Sequence, residues 1–143
     1  MKVLVLNGPN LAQLDIRDSS IYGDMTYPQL VAHIESAAES NGFEADVRQS
    51  DDEATIISWL HEAADTKVAV IINPAAFTHY SYAIRDAAEL LKSPLIEVHL
   101  SNPLAREEFR HTSVISGVAT GTISGFGPNS YSLAMAALKT LIS

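Results

Sequence analysis

Residues 2–10 of the chain read KVLVLNGPN: an apolar run of strand length that ends abruptly in a polar turn. Similar strand-like runs lie at residues 44–48, 68–72, 95–99 and roughly 117–123. Between them stand helical patterns at about residues 27–40, 53–64 and 81–92, and a last one at 130–141. This alternation predicts an α/β fold with a parallel sheet, helices on both faces and right-handed crossovers.

Five strands favour a flavodoxin-like, doubly wound sheet of order 2-1-3-4-5. The helix boundaries carry their own signals. Thr26 and Gln29 have the spacing of a capping box at the start of the first long helix. Gly42 supplies the left-handed stop at its end, and Pro94 is expected to end the third helix.

The composition indicates one folded, globular domain. With 143 residues, 47% of them hydrophobic and 18% charged, we expect a single domain over residues 1–143. No apolar run is long enough to span a bilayer, and the N-terminal run lacks a signal-peptide h-region, so we expect a cytoplasmic protein with no membrane partner.

The charge and the cysteine count restrict the possible partners and cofactors. Nine basic and seventeen acidic residues give a formal net charge of −8, which argues against nucleic acid or an anionic membrane. An anionic substrate would therefore need local arginines or backbone N–H groups. There are no cysteines, and no two of the five histidines have the helical i,i+4 spacing of a metal motif, so we expect no metal site.

Ligands of such folds bind beyond the carboxyl ends of the strands. Polar segments stand there in this sequence: NGPN after the first strand, QSDDE after the second, NPAAFTH after the third and EVHLSN at the fourth. None is a glycine-rich phosphate loop. The ends of strands one, three and four are suited to a small hydroxylated or carboxylated molecule.

Glu97 and His99 are two residues apart on a predicted strand, so their side chains project from the same face. A carboxylate beside an imidazole orients the ring and favours its charged form, which suits a general acid. The alternative is a structural ion pair at the edge of the sheet.

Arg106 and Arg110 are four residues apart, so a helical turn would place both on one side, where they can clamp a carboxylate. The alternative is pairing with surface acids such as Glu107. The N–H groups of Leu100 and Ser101 lie just past the fourth strand, where they can form an anion-binding nest.

His79 and Asp86 are seven residues apart, which corresponds to two turns on one helix face, with His79 near the helix N-terminus. The helix dipole disfavours an imidazolium there, so we expect a neutral, hydrogen-bonding histidine.

Residues 6–23, LNGPNLAQLDIRDSSIYG, form a long polar segment that carries Arg17 and Tyr22. A free tyrosine titrates near ~10 and needs a neighbouring cation to act as a base at neutral pH. An arginine on the same segment meets this need, and the segment can close over a substrate as a lid at about residues 11–24. The alternative is an ordinary surface loop.

Taken together, these stretches resemble the type II 3-dehydroquinate dehydratases over essentially the whole chain. The motifs LNGPNL, IYG, NPAAFTH, EVHLSN and REEFRH occur in the order and spacing of that family. The resemblance implies a flavodoxin-like fold, no cofactor or metal, and a homododecamer built from trimers. The implied reaction is the reversible anti dehydration of 3-dehydroquinate to 3-dehydroshikimate through an enolate, in aromatic amino-acid biosynthesis by the shikimate pathway or in quinate breakdown.

The resemblance also implies roles for individual residues. By family match, Tyr22 takes the C2 proton, Arg17 stabilises its phenolate, His99 protonates the departing C1 hydroxyl and Glu97 orients His99. Asn10 helps to hold a water that stabilises the enolate. The matching substrate-binding positions are Asn73, His79, Asp86, Leu100, Ser101 and Arg110, of which Asp86 reaches the site of a neighbouring subunit.

The chain departs from the usual family pattern at residues 12–15, 51–52 and 103–104. Two other hypotheses stay open on the sequence alone. One is a non-catalytic flavodoxin-like module that binds a phosphate or flavin ligand, against which the missing phosphate loop counts. The other is a family member used only for assembly or ligand binding.

Overall fold

The computed structural model describes residues 1–22 and 24–142. Gly23, which falls in the expected lid, lies outside the described residues. The strands are β1 (Lys2–Asn7), β2 (Glu44–Gln49), β3 (Ala69–Asn73), β4 (Leu95–His99) and β5 (Gly121–Ser124). The helices are α1 (Ser19–Tyr22), α2 (Tyr27–Ser40), α3 (Glu53–Thr66), α4 (Tyr82–Glu89) and α5 (Asn129–Ile142).

The strands form one parallel sheet of order β2-β1-β3-β4-β5, which confirms the predicted fold class and strand order. Side chains of β1 alternate between two apolar clusters, because successive residues of a strand point to opposite faces. Val3 and Val5 pack in the cluster that contains the buried faces of α2 and α5. Leu4 and Leu6 pack with α3 and α4 on the other face. Helices therefore cover both faces of the sheet.

The predicted start and end of α2 are confirmed. The Thr26 hydroxyl accepts from the N–H of Gln29 at 3.3 Å, and the Gln29 side chain accepts from the N–H of Thr26 at 3.0 Å. Beyond the helix, Gly42 has a φ of +81°, a left-handed conformation that glycine adopts without strain. These local signals involve only neighbours in sequence, which is why the pattern alone identified them.

Two predicted boundaries are wrong. Helix α4 ends at Glu89, well before Pro94, because the N–H groups of Leu90 and Leu91 bond to carbonyls three residues back and tighten the last turn. Strand β5 begins only at Gly121, because Ser116–Val118 forms a short 3₁₀ turn instead of extending the strand.

The predicted loop after β1 is largely helical. Leu11–Ile16 forms two short 3₁₀ turns with a kink at Gln13, and α1 follows them. Leu11 and Leu14, on either side of the kink, are both buried against the cluster of α2 and α5. Beyond Leu14 the segment buries much less: Ile16 is exposed and α1 contains no buried residue.

Candidate active site

A cavity opens at the carboxyl edge of the sheet, where the sequence predicts the site. It lies between the ends of β1, β3 and β4, the segment that leads to Tyr22, and residues 101–110. The lining residues are Pro9, Asn10, Leu11, Arg17, Tyr22, Asn73, Ala75, Ala76, His79, His99, Leu100, Ser101, Pro103, Arg106 and Arg110. All predicted site residues except Glu97 and Asp86 belong to this set.

A buried polar triad supports the cavity wall at Asn73, the one member of the triad that lines the cavity. Asn7 and Asn73 are register partners at the ends of β1 and β3. The Tyr131 hydroxyl donates to Oδ1 of Asn7 at 2.6 Å and accepts from Nδ2 of Asn73 at 3.0 Å. Burial raises the pKa of Tyr131, so this phenol stays neutral and serves as a fixed donor. The triad holds Asn73 at the cavity with its amide oriented.

The turn after β1 is tightly constrained. A Cβ on Gly8 would lie 2.6 Å from the carbonyl oxygen of Pro74, so only glycine fits there without movement. Asn10 is held in a left-handed conformation, and its N–H donates to Oδ1 of Asp51 at 2.9 Å. Gln49 donates to the same oxygen at 3.0 Å. Asp51, one of the departures from the family pattern, therefore anchors Asn10.

Tyr22 lies between two guanidinium groups. Arg17 stacks on its ring, with Cζ 3.5 Å from the ring centroid. Arg106 donates from Nη2 to the Tyr22 hydroxyl at 2.6 Å and from Nη1 to the Ser101 hydroxyl at 3.2 Å. Two cations therefore contact the same phenol, one at its ring and one at its hydroxyl. The sequence predicted the contact with Arg17; it did not identify Arg106 as the partner of the hydroxyl.

The predicted helical turn through Arg106 and Arg110 is wrong, although both side chains reach the cavity. Arg106 is extended, with φ −115° and ψ −162°, and lies between the two short 3₁₀ turns Pro103–Ala105 and Glu108–Arg110. Arg110 pairs with Glu107 at 3.0 Å, so the surface-pair alternative also holds for this residue. Nε of Arg106 is buried without a hydrogen-bond partner within residues 1–22 and 24–142.

His99 and Glu97 form a close pair at the end of β4. Nε2 of His99 lies 2.6 Å from Oε2 of Glu97, whose side chain is only 1% exposed. Burial raises the pKa of Glu97, but hydrogen bonds from His99, Ser116 and Thr78 together outweigh it and hold that pKa below its ordinary value. Glu97 is therefore an anion behind His99, and Nδ1 of His99 is the ring nitrogen left for a ligand.

His79 lines the cavity, but the predicted position on a helix shared with Asp86 is wrong. It ends the 3₁₀ turn Ala75–His79, and α4 starts only at Tyr82, so His79 and Asp86 do not share a helix face. Nδ1 of His79 lies 2.8 Å from the carbonyl oxygen of Thr112, which can only accept, so Nδ1 carries a proton and Nε2 is left for the cavity. Asp86 lies on α4, largely exposed, beside Arg85.

The cavity is a local concentration of positive charge on an acidic chain. Arg17, Arg106 and Arg110 line it, and no carboxylate belongs to the lining set. Burial lowers the pKa of Arg17, its contact with Tyr22 raises it, and the charges of Arg106 and Arg110 lower it again, for a net decrease. An arginine still remains charged at neutral pH. Like charges brought this close favour an anionic ligand between them.

Two negative findings concern the described part of the chain. None of its helices has the length and apolar character that a membrane span requires. Its histidine and carboxylate side chains form no group of three or more arranged to hold a metal ion.

Several contributors to the site carry no sequence signal of their own. Thr78, Ser113 and Ser116 contact Glu97 from segments far apart in the chain. Tyr131 falls inside a helical pattern that reads as plain core. Only the fold brings these side chains to the site.

The chain is similar in sequence to known proteins over nearly its whole length. The family model described as dehydroquinase class II matches residues 1–139. A 3-dehydroquinate dehydratase of Salinispora tropica is 53% identical over 135 residues, covering 94% of each protein. That of Caldicellulosiruptor bescii is 53% identical over 142 residues, 99% of this chain and 98% of the relative.

A solved structure shows the same fold. The type II dehydroquinase of Propionibacterium acnes superposes with a TM-score of 0.95 at 49% identity, covering 97% of this chain and 96% of the other. With a match over nearly its whole length in both sequence and structure, the chain belongs to the class II dehydroquinase family.

Proposed function

We propose that this chain is a 3-dehydroquinate dehydratase that removes water from 3-dehydroquinate to give 3-dehydroshikimate. Relatives that carry this name match it over nearly their full length. The observation that carries the proposal is a pairing of opposite chemistries in one cavity. A tyrosine held by two arginines, suited to remove a proton, lines the same cavity as a histidine backed by a carboxylate, suited to donate one.

In the proposed mechanism, the Tyr22 phenolate takes the proton from C2 of the substrate. The electron pair of that C–H bond forms an enolate with the adjacent carbonyl. The enolate then expels the C1 hydroxyl, which leaves as water with a proton from His99. Separate acid and base groups suit an anti elimination, in which the proton and the hydroxyl leave from opposite faces.

Arg17 and Arg106 support the first step by stabilising the phenolate. Asn10 helps to hold a water against the enolate oxygen, as the resemblance implies. Glu97 supports the last step by keeping the His99 ring in place. The position of each side chain supports its proposed role: Arg17, Arg106 and Asn10 line the cavity, and Glu97 lies directly behind His99.

The substrate carboxylate, which is on the same carbon as the departing hydroxyl, is bound close to His99, and the other hydroxyls are bound along the cavity wall. The backbone of Leu100 and Ser101, with Arg110, His79 and Asn73, provides donors there. A ring acid with several hydroxyls requires such a set: a few oriented polar groups and one local positive field. The formal charge of −8 on the whole chain is no obstacle, because capture depends on these contacts and not on the global field.

We also propose a lid that closes over the substrate and an assembly of several subunits. The segment from about residue 11 to 24 is proposed to close over the substrate. Within it, residues after Leu14 are the movable part, because Leu11 and Leu14 are fixed in the core. Asp86 is exposed on α4, as a residue must be if it reaches into the site of a neighbouring subunit. A homododecamer of trimers would provide that neighbour.

The test is an assay of the purified protein with 3-dehydroquinate, following the ultraviolet absorbance of the conjugated enone product. We expect turnover that a metal chelator does not change. Absence of product with soluble, folded protein would contradict the proposal, and a flavin absorption band would favour a ligand-binding module instead. Substrate deuterated stereospecifically at C2 tests the anti geometry.

We assign the reaction to aromatic amino-acid biosynthesis, although the same chemical step also serves quinate breakdown. Deletion of the gene should create a requirement for aromatic amino acids. Loss of growth on quinate alone, with no such requirement, would assign the protein to the catabolic role.

A further inference from the structure

Glu97 is enclosed by hydroxyl groups that the reaction chemistry does not itself require. Its Oε1 accepts from Ser116 at 2.6 Å and lies 3.1 Å from Ser113. Its Oε2 accepts from Thr78 and lies 2.6 Å from Nε2 of His99. We call Thr78, Ser113 and Ser116 the hydroxyl cage.

At Ser113 the direction of the hydrogen bond is fixed by the backbone. The Ser113 oxygen accepts from the backbone N–H of Ile115 at 3.1 Å and of Ser116 at 3.0 Å. Both lone pairs of that oxygen are therefore used, so Ser113 can only donate its one hydrogen. Its neighbours as acceptors are Glu97 and Thr78.

This arrangement favours an ionised Glu97, because Ser113 cannot accept a hydrogen bond from a protonated one. A carboxylate accepts at both oxygens and needs donors around it, whereas a carboxylic acid must donate one hydrogen itself. With Ser113 unable to accept and Glu97 almost fully buried, the cage satisfies the anion. The remaining position on Oε2 then requires a donor, and Nε2 of His99 occupies it.

We propose that the hydroxyl cage sets the tautomer of His99. Thr78 and Ser116 donate to Glu97, and Ser113 donates its one hydrogen to Glu97 or Thr78, so Glu97 stays an acceptor and keeps one proton on Nε2 of His99. The proton given to the substrate is then the second one, on Nδ1, and the Nε2–H tautomer is the form that remains after the transfer. The inference rests on the proposed function, in which His99 is the proton donor. It adds three positioning residues that act through Glu97 without touching the substrate.

The cage also forms part of the wall of a second cavity. This space is lined by the three cage residues together with Glu97 and His99. It adjoins the substrate cavity, with which it shares residues such as His99 and Arg110. Water from that side would compete for the oxygens of Glu97 if a cage hydroxyl were absent. The hydroxyls therefore orient the carboxylate and also occupy acceptor positions that water would otherwise take.

The first test compares variants at Thr78. Thr78→Val keeps the shape and removes the hydroxyl, whereas Thr78→Ser keeps the hydroxyl. We expect kcat to fall about 10- to 100-fold in Thr78→Val with KM nearly unchanged, because misplacing a general acid slows the chemical step. Thr78→Ser should restore most of the rate. Ser116→Ala provides a second variant if Thr78→Val does not fold, and circular dichroism checks the fold of each.

The second test does not depend on activity. Selective ¹⁵N-histidine labelling of the five histidines reports which ring nitrogen carries the proton. At a pH where its ring is neutral, His99 of the wild type should show the Nε2–H form, and Thr78→Val or Ser116→Ala should show a mixture of tautomers. Ser132→Ala is the matched control. It removes the hydroxyl 2.8 Å from Nε2 of His33, so it should shift only the signals of His33.

The outcomes distinguish a failure of the proposed function from a failure of the cage proposal. An inactive wild type with the expected His99 tautomer would contradict the proposed function and leave the cage intact. An active wild type whose Thr78→Val and Ser116→Ala variants keep the wild-type kcat and unchanged His99 signals would overturn the cage proposal. A loss in the valine variant that Thr78→Ser does not restore would also overturn it.

Discussion

At the scale of single residues, Tyr22 is the side chain on which the proposed reaction depends. Tyr22→Phe removes the base and leaves the ring on which Arg17 stacks. We expect kcat to fall by about 10²- to 10⁴-fold, the range for loss of a general acid or base. Steady-state kinetics measure this. Tyr80→Phe is the control, because Tyr80 is exposed and does not line the cavity. Full activity in Tyr22→Phe would refute the base assignment.

Arg106 provides a second prediction at this scale. Arg106→Ala removes the charged donor to the Tyr22 hydroxyl, a contact worth about 1.5–3 kcal/mol for a charged group, so kcat should fall roughly 10- to 150-fold. Arg106→Lys should restore part of the rate, because it returns the charge without the planar fork. A raised KM with unchanged kcat would instead show that Arg106 serves only to bind substrate.

The residue scale also shows what sequence can and cannot predict. Glu97 and His99 were predicted to share a face because two residues on one strand have fixed relative directions. The hydrogen bond between Arg106 and Tyr22 joins residues 84 positions apart. No local pattern encodes such a pair. The sequence offered Arg106 as a carboxylate clamp or as a partner of surface acids such as Glu107, and it missed Tyr22 because this contact depends on how two irregular segments meet.

At the scale of elements, the segment after β1 has a fixed part and an exposed part. Leu14→Ala removes a side chain that is 3% exposed, so it should lower the free energy of unfolding by about 2–5 kcal/mol. It should also lower kcat by loosening the base of the proposed lid. Ile16→Ala is the matched control, because Ile16 is 76% exposed and should change stability little. Urea unfolding and kinetics of both variants check this. Equal losses of stability would contradict the distinction between a fixed part and an exposed part of the segment.

The accuracy of the element predictions follows from their physical cause. The central strands are buried on both faces and so appear in the sequence as continuous apolar runs. The long helices have periodic burial, and α2 also carries its capping box, so the sequence predicts these elements well. The end of α4 and the start of β5 are set by short 3₁₀ turns. Such turns have no hydrophobic period of their own, so the pattern extended both elements too far.

At the scale of the whole molecule, acid stability depends on paired carboxylates. Arg48 donates to Asp46 at 2.7 Å and pairs with Glu62 at 2.7 Å. The hydrogen bonds from Arg48 hold the pKa of Asp46 below its ordinary value of 3.8. A carboxyl whose pKa is lowered by folding stabilises the protein above its unfolded pKa, and this contribution is lost as the pH falls through the folded pKa.

Asp46→Asn should therefore lower the free energy of unfolding by about 0.5–1 kcal/mol at pH 7, in the range of a partly exposed ion pair. The difference from the wild type should shrink as the pH falls below about 4 and vanish at lower pH. Urea unfolding at a series of pH values measures this. A difference that stays constant with pH would mean that the ion pair is not its source.

The whole-molecule account joins an acidic chain to a cavity lined by three arginines and two histidines. Its central claim is that one anionic ring lies between Tyr22 and His99. A crystal structure with a substrate analogue tests this most directly. The account predicts C2 facing the Tyr22 hydroxyl, the C1 substituent at Nδ1 of His99 and the carboxylate at Leu100 and Ser101. An analogue bound outside this cavity, or with its carboxylate against Tyr22, would contradict it.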